Sequence, residues 1–279
     1  MIVVTGATGK LGSQIVDLLQ GQELGVSVRD PGKAAHLADR GVRVRRGDFT
    51  DPASLANAFE GADQVLIVSA SIRDSATAIA ANRTAINAAV AAGAQRILYT
   101  GHQAAAHDSE FGPMAVHAAT EDYLAEAGVP FTVLRNGFYV TTLGFYLPRA
   151  LEAGVLALPA DGPVSWTAHT DLAEAAAAAV TTEGLLDGIT APLTGPSLVD
   201  FTEVARILTE ITGRPITRVV LDDEEFRAAA GEFADFTLGM FRAARRGEFA
   251  VTDPTIEKVI GRPATPTRDF IERFVATSS

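Results

Sequence analysis

Cysteine is absent from the sequence, which excludes disulfides, thiolate metal sites, iron–sulfur clusters and cysteine nucleophiles. No run of 18 apolar residues is present, so the sequence predicts no membrane-spanning helix. The first apolar pattern starts at Ile2 and leaves no room for the basic and apolar regions of a signal peptide. We therefore expect a cytoplasmic protein.

Basic residues are scarce as well: 23 lysines and arginines stand against 34 aspartates and glutamates, and the formal net charge is −11. This balance argues against nucleic acid or an anionic membrane as a partner. The five histidines show no metal-ligand spacing such as H-E-x-x-H, and no metal site is predicted. Apolar residues, by contrast, make up 47% of the 279 residues, which is enough to bury a sizeable core.

The first twelve residues point to a nucleotide. A short apolar run rich in β-branched residues is followed by three regularly spaced glycines and then by an amphipathic stretch. In this order of strand, tight turn and helix, glycines let the backbone approach a pyrophosphate at a helix N-terminus. The spacing is G-x-x-G-x-x-G rather than G-x-G-x-x-G, and a merely structural β–α turn is the alternative. The predicted phosphate loop comprises Gly6, Ala7, Thr8, Gly9, Lys10, Leu11 and Gly12.

Strand and helix patterns alternate up to about residue 135. The predicted strands are 2–5, 25–29, 42–45, 64–68, 96–100 and 131–135, and the predicted helices lie near 11–20, 31–40, 52–60, 75–92 and 113–127. A glycine follows each helical pattern, as helix C-termini favour: Gly21, Gly41, Gly61, Gly93 and Gly128. Such alternation predicts an α/β fold, a Rossmann-type doubly wound parallel sheet with its ligand at the carboxyl ends of the strands.

Beyond residue 136 the pattern loosens into pieces separated by proline and glycine. Helices are predicted near 138–153, 170–182, 200–212, 223–246, 254–260 and 266–276, and strands near 164–168 and 189–194. We interpret residues 1–136 as an NAD(P)-binding domain and residues 137–279 mainly as a smaller C-terminal α/β substrate lobe packed on it as one unit. Its aromatic residues are either an acceptor pocket or core: Phe138, Phe145, Tyr146, Trp166, Phe233, Phe236 and Phe241.

The end of the second predicted strand bears on which nucleotide binds. Arg29 stands where an NAD site usually has a carboxylate for the ribose diol, and its guanidinium suits a 2′-phosphate instead. Lys33 adds a second positive charge, although both side chains also fit a solvated surface. Asp30 would bind the diol if turned inward, but it equally fits a helix N-cap before Pro31. The sequence predicts NADP as the cofactor, with NADPH preferred over NADH.

Two further strand ends carry candidate cofactor contacts. A carboxylate after the third strand can bind an adenine amino group while an aromatic ring packs on the base; a surface turn with an N-cap at Thr50 or Asp51 is the alternative. Small residues after the fourth strand would let the cofactor pass closely, although small residues at a strand end are ordinary. The candidates are Asp48 and Phe49 after the third strand and Ser69, Ala70 and Ser71 after the fourth.

Several motifs resemble those of the atypical short-chain dehydrogenase/reductase group that contains the NmrA-like proteins. They are T-G-A-T-G-K-L-G at 5–12, V-R-D-P-G-K-A at 28–34, G-D-F at 47–49, Y-T-G at 99–101, H-A-A-T-E at 117–121, V-P-F-T-V-L-R-N-G-F-Y at 129–139 and K-V-I-G at 258–261. Within this group the chain most resembles the type 2 NAD(P)H:quinone oxidoreductases and triphenylmethane reductases. The resemblance implies NADPH-dependent reduction of a quinone or another planar conjugated small molecule. It also implies cofactor contacts at Asn136, Gly137, Phe138 and Tyr139.

Mainstream short-chain dehydrogenases use Tyr-x-x-x-Lys, and no tyrosine here has a lysine four residues on. In the related isoflavone-reductase-like proteins a lysine precedes the I-P-Y-T segment by thirteen residues, and the same count back from Pro130 leads to His117. Glu121, one helical turn on, could orient the imidazole; an exposed His–Glu pair is the alternative. The predicted catalytic residues are His117, Asn136 and Tyr139. The alternative for Asn136 is a turn residue before Gly137, and the alternative for Tyr139 is a half-buried aromatic residue of a helix.

A quinone acceptor would explain why the tyrosine–lysine pair is dispensable. Hydride delivery to a ketone produces an alkoxide whose conjugate acid has a pKa of about 16, whereas a quinone yields a phenolate-like anion with a pKa of about 10. The remaining task is to position a flat acceptor against the cofactor. Members of the group also act as NADP sensors without turnover, and a sensor is the alternative function. The oligomeric state stays open, with a homodimer among the options.

Overall fold

The computed structural model describes residues Met1–Ser278, and the chain divides into two compact units. The first unit comprises Met1–His107, Pro113–Asn136 and His169–Ala191. The second comprises Asp108–Gly112, Gly137–Ala168 and the described chain from Pro192 onward. The division predicted at residue 136 assigned His169–Ala191 to the second region, whereas the structure groups this segment with the first unit.

The strands, numbered along the chain, are β1 (Ile2–Thr5), β2 (Leu24–Val28), β3 (Arg43–Arg46), β4 (Gln64–Ile67), β5 (Arg96–His102), β6 (Phe131–Asn136), β7 (Phe138–Tyr139), β8 (Val155–Pro159), β9 (Trp166–Thr167), β10 (Gly188–Ile189) and β11 (Thr217–Leu221). The helices are α1 (Lys10–Leu18), α2 (Ala35–Ala38), α3 (Pro52–Phe59), α4 (Ser75–Ala91), α5 (Gly112–Ala125), α6 (Leu147–Ala153), α7 (His169–Thr181), α8 (Phe201–Thr212), α9 (Asp223–Ala230), α10 (Ala234–Arg245), α11 (Thr255–Ile260) and α12 (Thr267–Ser278). Short 3₁₀ helices lie at Pro31–Ala34, Val140–Phe145 and Gly231–Phe233. None of these described helices is both long and apolar enough to cross a membrane.

The first unit is built on a seven-stranded sheet in the order β10-β6-β5-β4-β1-β2-β3, with every neighbouring pair parallel. β1 and β2 are buried along their whole length, as expected of parallel strands covered on both faces. The chain leaves β1 in one direction toward β2 and β3 and later returns on its other side with β4. The predicted Rossmann-type sheet is confirmed, and its topological switch point lies between β1 and β4, where such folds bind ligands.

Glycines end the helices of this unit as the sequence predicts. The five glycines that follow the helical patterns all have positive φ, between 70° and 89°, a conformation that glycine adopts without steric cost. Prolines occupy the first turn of the 3₁₀ helix at Pro31–Ala34 and of α3, where their fixed φ suits a helix start. The predicted boundaries up to residue 135 are therefore close to those observed.

The second unit holds two short parallel strand pairs, β8 with β11 and β7 with β9, around an aromatic core. The Trp166 ring packs edge-on against Phe138, with centroids 5.3 Å apart, and its Nε1 donates to the Val199 carbonyl at 2.9 Å. Of the aromatic residues predicted as pocket or core, Phe138, Trp166 and Phe241 are buried, whereas the Phe145 side chain is 84% exposed. The first three are core residues.

Two predicted helices of this unit are interrupted. The helix expected over 138–153 starts instead as β7 and a 3₁₀ helix, and α6 begins only at Leu147 with a proline in its first turn. The helix expected over 223–246 stops at Gly231, whose φ of +65° does not continue an α-helix. β8 and β11 were not predicted, because V-L-A-L-P and T-R-V-V-L are short and β11 is largely exposed on both faces.

Candidate active site

The predicted cofactor residues lie where the parallel strands of the first unit end. Gly6 follows β1, Arg29 follows β2, Asp48 comes soon after β3 and Ser69 soon after β4, while Asn136 is the last residue of β6. Since all these strands run in the same direction, their carboxyl ends share one edge of the sheet. The structure thus brings these five positions to the edge at which doubly wound sheets bind nucleotides.

The three glycines of the first loop have different structural roles. Gly6 has φ +64°, and a Cβ on Gly12 would lie 2.2 Å from the Gly6 carbonyl oxygen, so chain geometry requires glycine at both. Gly9 is different: its φ of −89° and ψ of 168° suit any residue, and a Cβ there would meet only the Gly6 oxygen, at 3.3 Å. A side chain at position 9 would therefore press on the Gly6 carbonyl oxygen alone, since no other atom outside its own turn lies within 4 Å of the added Cβ.

The start of α1 fits a phosphate group. Gly9 is its N-cap and provides no side-chain hydrogen bond to the first turn, whose N–H groups and helix dipole favour an anion. Ala7 and Leu11 are buried and anchor the loop, whereas Thr8 and Lys10 are exposed. The residues present therefore fit the pyrophosphate of a dinucleotide.

The end of β2 presents positive charge. Arg29 and Lys33 are exposed and enter no ion pair with the part of the chain that the structure describes. The Asp30 carboxylate accepts a hydrogen bond from the Gly32 N–H at 3.0 Å and caps the short 3₁₀ helix that follows. Asp30 thus has the capping role rather than the inward orientation, and the pair of cations suits a 2′-phosphate.

The segment after β3 forms a compact turn. Asp48 Oδ1 accepts from the Thr50 N–H at 2.9 Å and from the Thr50 hydroxyl at 2.8 Å, and these bonds lower the pKa of Asp48. Asp51 is the N-cap of α3 and accepts from the Ser54 N–H. Phe49 is partly buried against the core of the first unit. Turn and core roles therefore account for Asp48 and Phe49, and their contact with adenine stays a prediction.

The loop after β4 is held by three side chains that sequence reasoning missed. Each accepts a hydrogen bond from one of three consecutive backbone N–H groups, and each comes from a different element. The bonds are Val68 to Thr5 Oγ1 at 2.9 Å, Ser69 to Thr100 Oγ1 at 2.9 Å and Ala70 to Asn82 Oδ1 at 3.0 Å. Asn82 is fully buried on a helix face made mostly of alanines. A polar residue at such an apolar position needs hydrogen-bond partners, and this pattern could have identified Asn82 from the sequence.

His117 lies on α5 and contacts Tyr99 rather than Glu121. Its Nδ1 is 2.9 Å from the Tyr99 hydroxyl, and its ring stacks on that of His102 with centroids 6.0 Å apart. Burial lowers the pKa of His117 to about 4. Burial, and then the neighbouring His117, hold the pKa of His102 well below its ordinary value. Both imidazoles are therefore neutral at pH 7.

The predicted orientation of His117 by Glu121 is wrong. Glu121 is buried and forms a two-pronged ion pair with Arg135, with Nε to Oε1 at 3.1 Å and Nη2 to Oε2 at 2.6 Å. The planar guanidinium matches both carboxylate oxygens, which a neutral imidazole cannot do. The pair ties α5, which carries His117, to the end of β6 next to Asn136.

Asn136 has an unsatisfied buried oxygen. The residue is 1% exposed, stands opposite His102 in the sheet register and accepts a backbone hydrogen bond from the Gln103 N–H at 2.9 Å. Its Oδ1 is buried without a hydrogen-bond partner among the described residues. Such orphans are rare in native proteins, because an unpaired buried acceptor costs about 1–3 kcal/mol. A ligand donor at this place would satisfy it.

Gly137, Phe138 and Tyr139 belong to the second unit. A Cβ on Gly137 would lie 2.0 Å from Thr167 Oγ1, so packing within this unit requires the glycine. The Phe138 ring lies in the aromatic core, and Tyr139 is half-buried with its backbone paired to Thr167. Tyr139 therefore stands on a short strand rather than on the predicted helix. The predicted cofactor contacts of these three residues stay predictions.

Acidification should destabilise the protein below neutral pH. Burial lowers the pKa of His117 to about 4, and burial together with the charge of Lys10 lowers that of His169 to about 4. Imidazoles in the unfolded chain titrate near pH 6.5. The stability that depends on keeping the buried imidazoles neutral is therefore fully present above pH 6.5 and is lost as the pH falls toward 4. Between pH 6.5 and 5 each imidazole should lower the free energy of unfolding by about 2 kcal/mol.

Urea unfolding at pH 7, 6 and 5 measures this loss. His117→Gln should remove the His117 share of the pH dependence at an unchanged urea m-value. A variant with the wild-type pH dependence would contradict the assignment to His117.

Comparisons with known proteins agree over nearly all of the chain. The model of the NmrA-like family matches residues 1–266. Quinone oxidoreductase 2 of Escherichia coli (strain K12) is 34% identical over 287 residues, which cover 98% of each protein. Two solved structures are similar over nearly their full length. Triphenylmethane reductase of Citrobacter sp., complexed with NADP(H), has a TM-score of 0.90 and 33% identity over 98% of this chain and 100% of that one. The NADPH-dependent quinone oxidoreductase of Escherichia coli, complexed with NADPH, has a TM-score of 0.91 and 33% identity over 99% of this chain and 100% of that one.

Proposed function

The chain belongs to the NmrA-like family, and we propose that it is an NADPH-dependent reductase that transfers hydride to a quinone or a similarly conjugated acceptor. The main support is the 34% identity over 98% of Escherichia coli quinone oxidoreductase 2. Independent support comes from Gly9 at a helix N-terminus, where an added Cβ would contact only the Gly6 carbonyl oxygen, at 3.3 Å.

The carboxyl edge of the first unit has groups for each part of the cofactor. The N–H groups at the start of α1 would bind the pyrophosphate, and Arg29 with Lys33 would bind the 2′-phosphate. The buried Oδ1 of Asn136 would accept a hydrogen bond from the nicotinamide carboxamide. Bound NADPH supplies the hydride. The half-buried Tyr139 is the proposed neighbour of the acceptor.

His117 is proposed to hold the acceptor rather than to protonate it. With a pKa of about 4 the imidazole is neutral at pH 7, and a neutral imidazole is a weak acid but a good hydrogen-bonding group. A reduced quinone leaves a phenolate-like oxygen that takes its proton from water at little cost. Fixing the acceptor oxygen beside His117 is therefore the task that remains for this residue.

Turnover with a benzoquinone tests the function directly. We expect protein-dependent, saturable oxidation of NADPH, followed as the loss of reduced-nicotinamide absorbance after the uncatalysed rate is subtracted. Tight NADPH binding without turnover of any quinone would contradict the reductase and favour a sensor. We also propose a cytoplasmic location. The oligomeric state is a separate question, and sedimentation of the purified protein distinguishes a monomer from a homodimer.

Arg29→Ala should weaken NADPH binding by roughly 1.5–3 kcal/mol, the range of a charge-assisted hydrogen bond, and should leave NADH binding nearly unchanged. Titration calorimetry with both cofactors measures the difference. Arg206→Ala, at an exposed arginine of α8, is the matched control and should alter neither affinity. Equal wild-type affinities for NADPH and NADH would contradict the binding of the 2′-phosphate by Arg29. They would favour the alternative in which Asp30 binds the ribose diol.

His117→Ala should act mainly on KM for the quinone. Losing one hydrogen bond to the acceptor corresponds to about a tenfold rise in KM, with kcat changed less and the pH profile between 5.5 and 8.5 intact. Steady-state kinetics across this range measure both constants. A fall in kcat of about 10²-fold, with loss of a pH dependence near 6.5, would instead make His117 a proton donor. Unchanged constants would rule out both roles.

A further inference from the structure

The buried Asn82 side chain has a fixed orientation. Its Oδ1 is 3.0 Å from the Ala70 N–H, and its Nδ2 is 3.3 Å from the Tyr99 hydroxyl and 3.2 Å from Thr120 Oγ1. A backbone N–H can only donate, so the amide oxygen must face Ala70. The NH₂ group then donates its two hydrogens to Tyr99 and Thr120.

This orientation favours one direction for the next hydrogen bond. Because Asn82 Nδ2 can only donate, the Tyr99 oxygen accepts from it. Donation by the Tyr99 hydroxyl to His117 Nδ1, 2.9 Å away, then gives this oxygen one donor, whereas the opposite direction would give it two and leave its own hydrogen to a further acceptor. Thr120 fits the same direction, since its hydroxyl donates onward to the Val116 carbonyl at 2.8 Å. A neutral imidazole that accepts at Nδ1 carries its proton on Nε2.

We propose that Asn82 and Tyr99 are positioning residues that hold His117 in the neutral tautomer protonated at Nε2, so that His117 meets the acceptor oxygen as a hydrogen-bond donor. Only the last step, the contact with the acceptor, rests on the proposed function. Burial, which lowers the pKa of His117 to about 4, keeps this tautomer neutral at pH 7.

Asn82 also links two parts of the site. The same amide that donates toward Tyr99 accepts from Ala70, in the loop where the cofactor is predicted to pass. One side chain on α4 therefore fixes both the backbone of that loop and, through Tyr99, the proton position on His117. A change in Asn82 should be detected at the imidazole, although Asn82 does not touch it.

The tautomer is measurable without substrate. Two-bond ¹H–¹⁵N correlation spectra of the ¹⁵N-labelled full chain at pH 7 distinguish a protonated ring nitrogen from an unprotonated one, and His117→Gln assigns the signal. We expect an unprotonated Nδ1 and a protonated Nε2 on His117. A proton on Nδ1, or a cationic ring, would overturn the proposal.

Asn82→Asp should reverse the relay. The introduced carboxyl group, when ionised, can only accept, so the Tyr99 hydroxyl turns toward it, and the Tyr99 oxygen is left to accept from a proton on His117 Nδ1. Burial raises the pKa of such a group, so the spectra are recorded at a pH at which its ¹³C shift shows it ionised. The spectrum should therefore switch to the Nδ1-protonated form. Asn87→Asp is the matched control on the exposed face of α4 and should change nothing. A folded Asn82→Asp protein that retains the wild-type tautomer while the introduced carboxyl group is ionised would refute the relay.

Tyr99→Phe removes only the hydroxyl group. It tests the same relay if the Asn82→Asp protein does not fold. An Nδ1-protonated population of His117 should appear, KM for benzoquinone should rise about 5- to 10-fold, and the NADPH Kd should stay unchanged. Tyr123→Phe, which removes an α5–α4 hydrogen bond to Asn87, is the control. An unchanged tautomer would overturn the relay. The expected tautomer change with an unchanged KM would support the relay and contradict the proposed contact between His117 and the acceptor.

Discussion

Replacing Gly9 with valine should abolish NADPH binding, with a loss of affinity of at least about 10²-fold, while the protein stays folded. Gly9 has backbone angles that valine tolerates, and only the Gly6 carbonyl oxygen lies near the new Cβ, at 3.3 Å. The valine methyl groups would instead occupy the space proposed for the cofactor. Loss of a glycine N-cap should cost the fold no more than about 1–2 kcal/mol. Calorimetric titration with NADPH and urea unfolding measure the two effects separately.

Gly12→Ala is the contrasting variant for this experiment. Its Cβ would lie 2.2 Å from the Gly6 carbonyl oxygen, so even one methyl group should destabilise the fold and change cofactor binding only as a consequence. If Gly9→Val binds NADPH normally, the cofactor does not pass over Gly9, and the proposed phosphate loop is wrong.

Quinones should exceed unactivated aliphatic ketones as substrates by at least about 10³-fold in kcat/KM. The alkoxide from a ketone is more basic than the phenolate from a quinone by about 6 pKa units, or ~8 kcal/mol of proton demand. The chain has only three lysines, and none stands four residues after a tyrosine. His117 and His102 are neutral at pH 7 because burial lowers the pKa of each. Neither of these two imidazoles is therefore a strong acid for protonating an alkoxide.

Parallel assays with benzoquinone and cyclohexanone at equal NADPH concentration measure this ratio, each corrected for its uncatalysed rate. Efficient reduction of the ketone would show that the protein contains an acid beyond the residues named here.

The sequence predicts the first unit well because its determinants are local. An apolar run, a glycine at each helix end and a proline in a first turn each act within a few residues, and the strand ends follow from them. The second unit is predicted less well, since β8 and β11 pair across about 60 residues of chain without a strong pattern of their own. The predicted helix over 223–246 missed Gly231, whose positive φ separates α9 from α10.

The candidate site follows the same rule. The positions of the glycine loop and Arg29 could be predicted from the sequence because each depends only on where its own strand ends. Glu121 was assigned to His117 by the rule that residues four apart on a helix interact, and that rule cannot foresee a better partner on β6. Asn82 and Tyr99 were missed because they act through contacts between segments far apart in the sequence.

The three side chains that hold the loop after β4 have a thermodynamic consequence. Fixing the backbone of one residue costs roughly 1–2 kcal/mol of conformational entropy, and the N–H groups of Val68, Ser69 and Ala70 are bonded by the protein itself. A ligand that passes over this loop meets a backbone that is already ordered. The free-energy cost of ordering these three residues, about 3–6 kcal/mol, therefore arises during folding rather than during association. A ligand should bind this loop more tightly than it would bind a disordered loop that offers the same contacts.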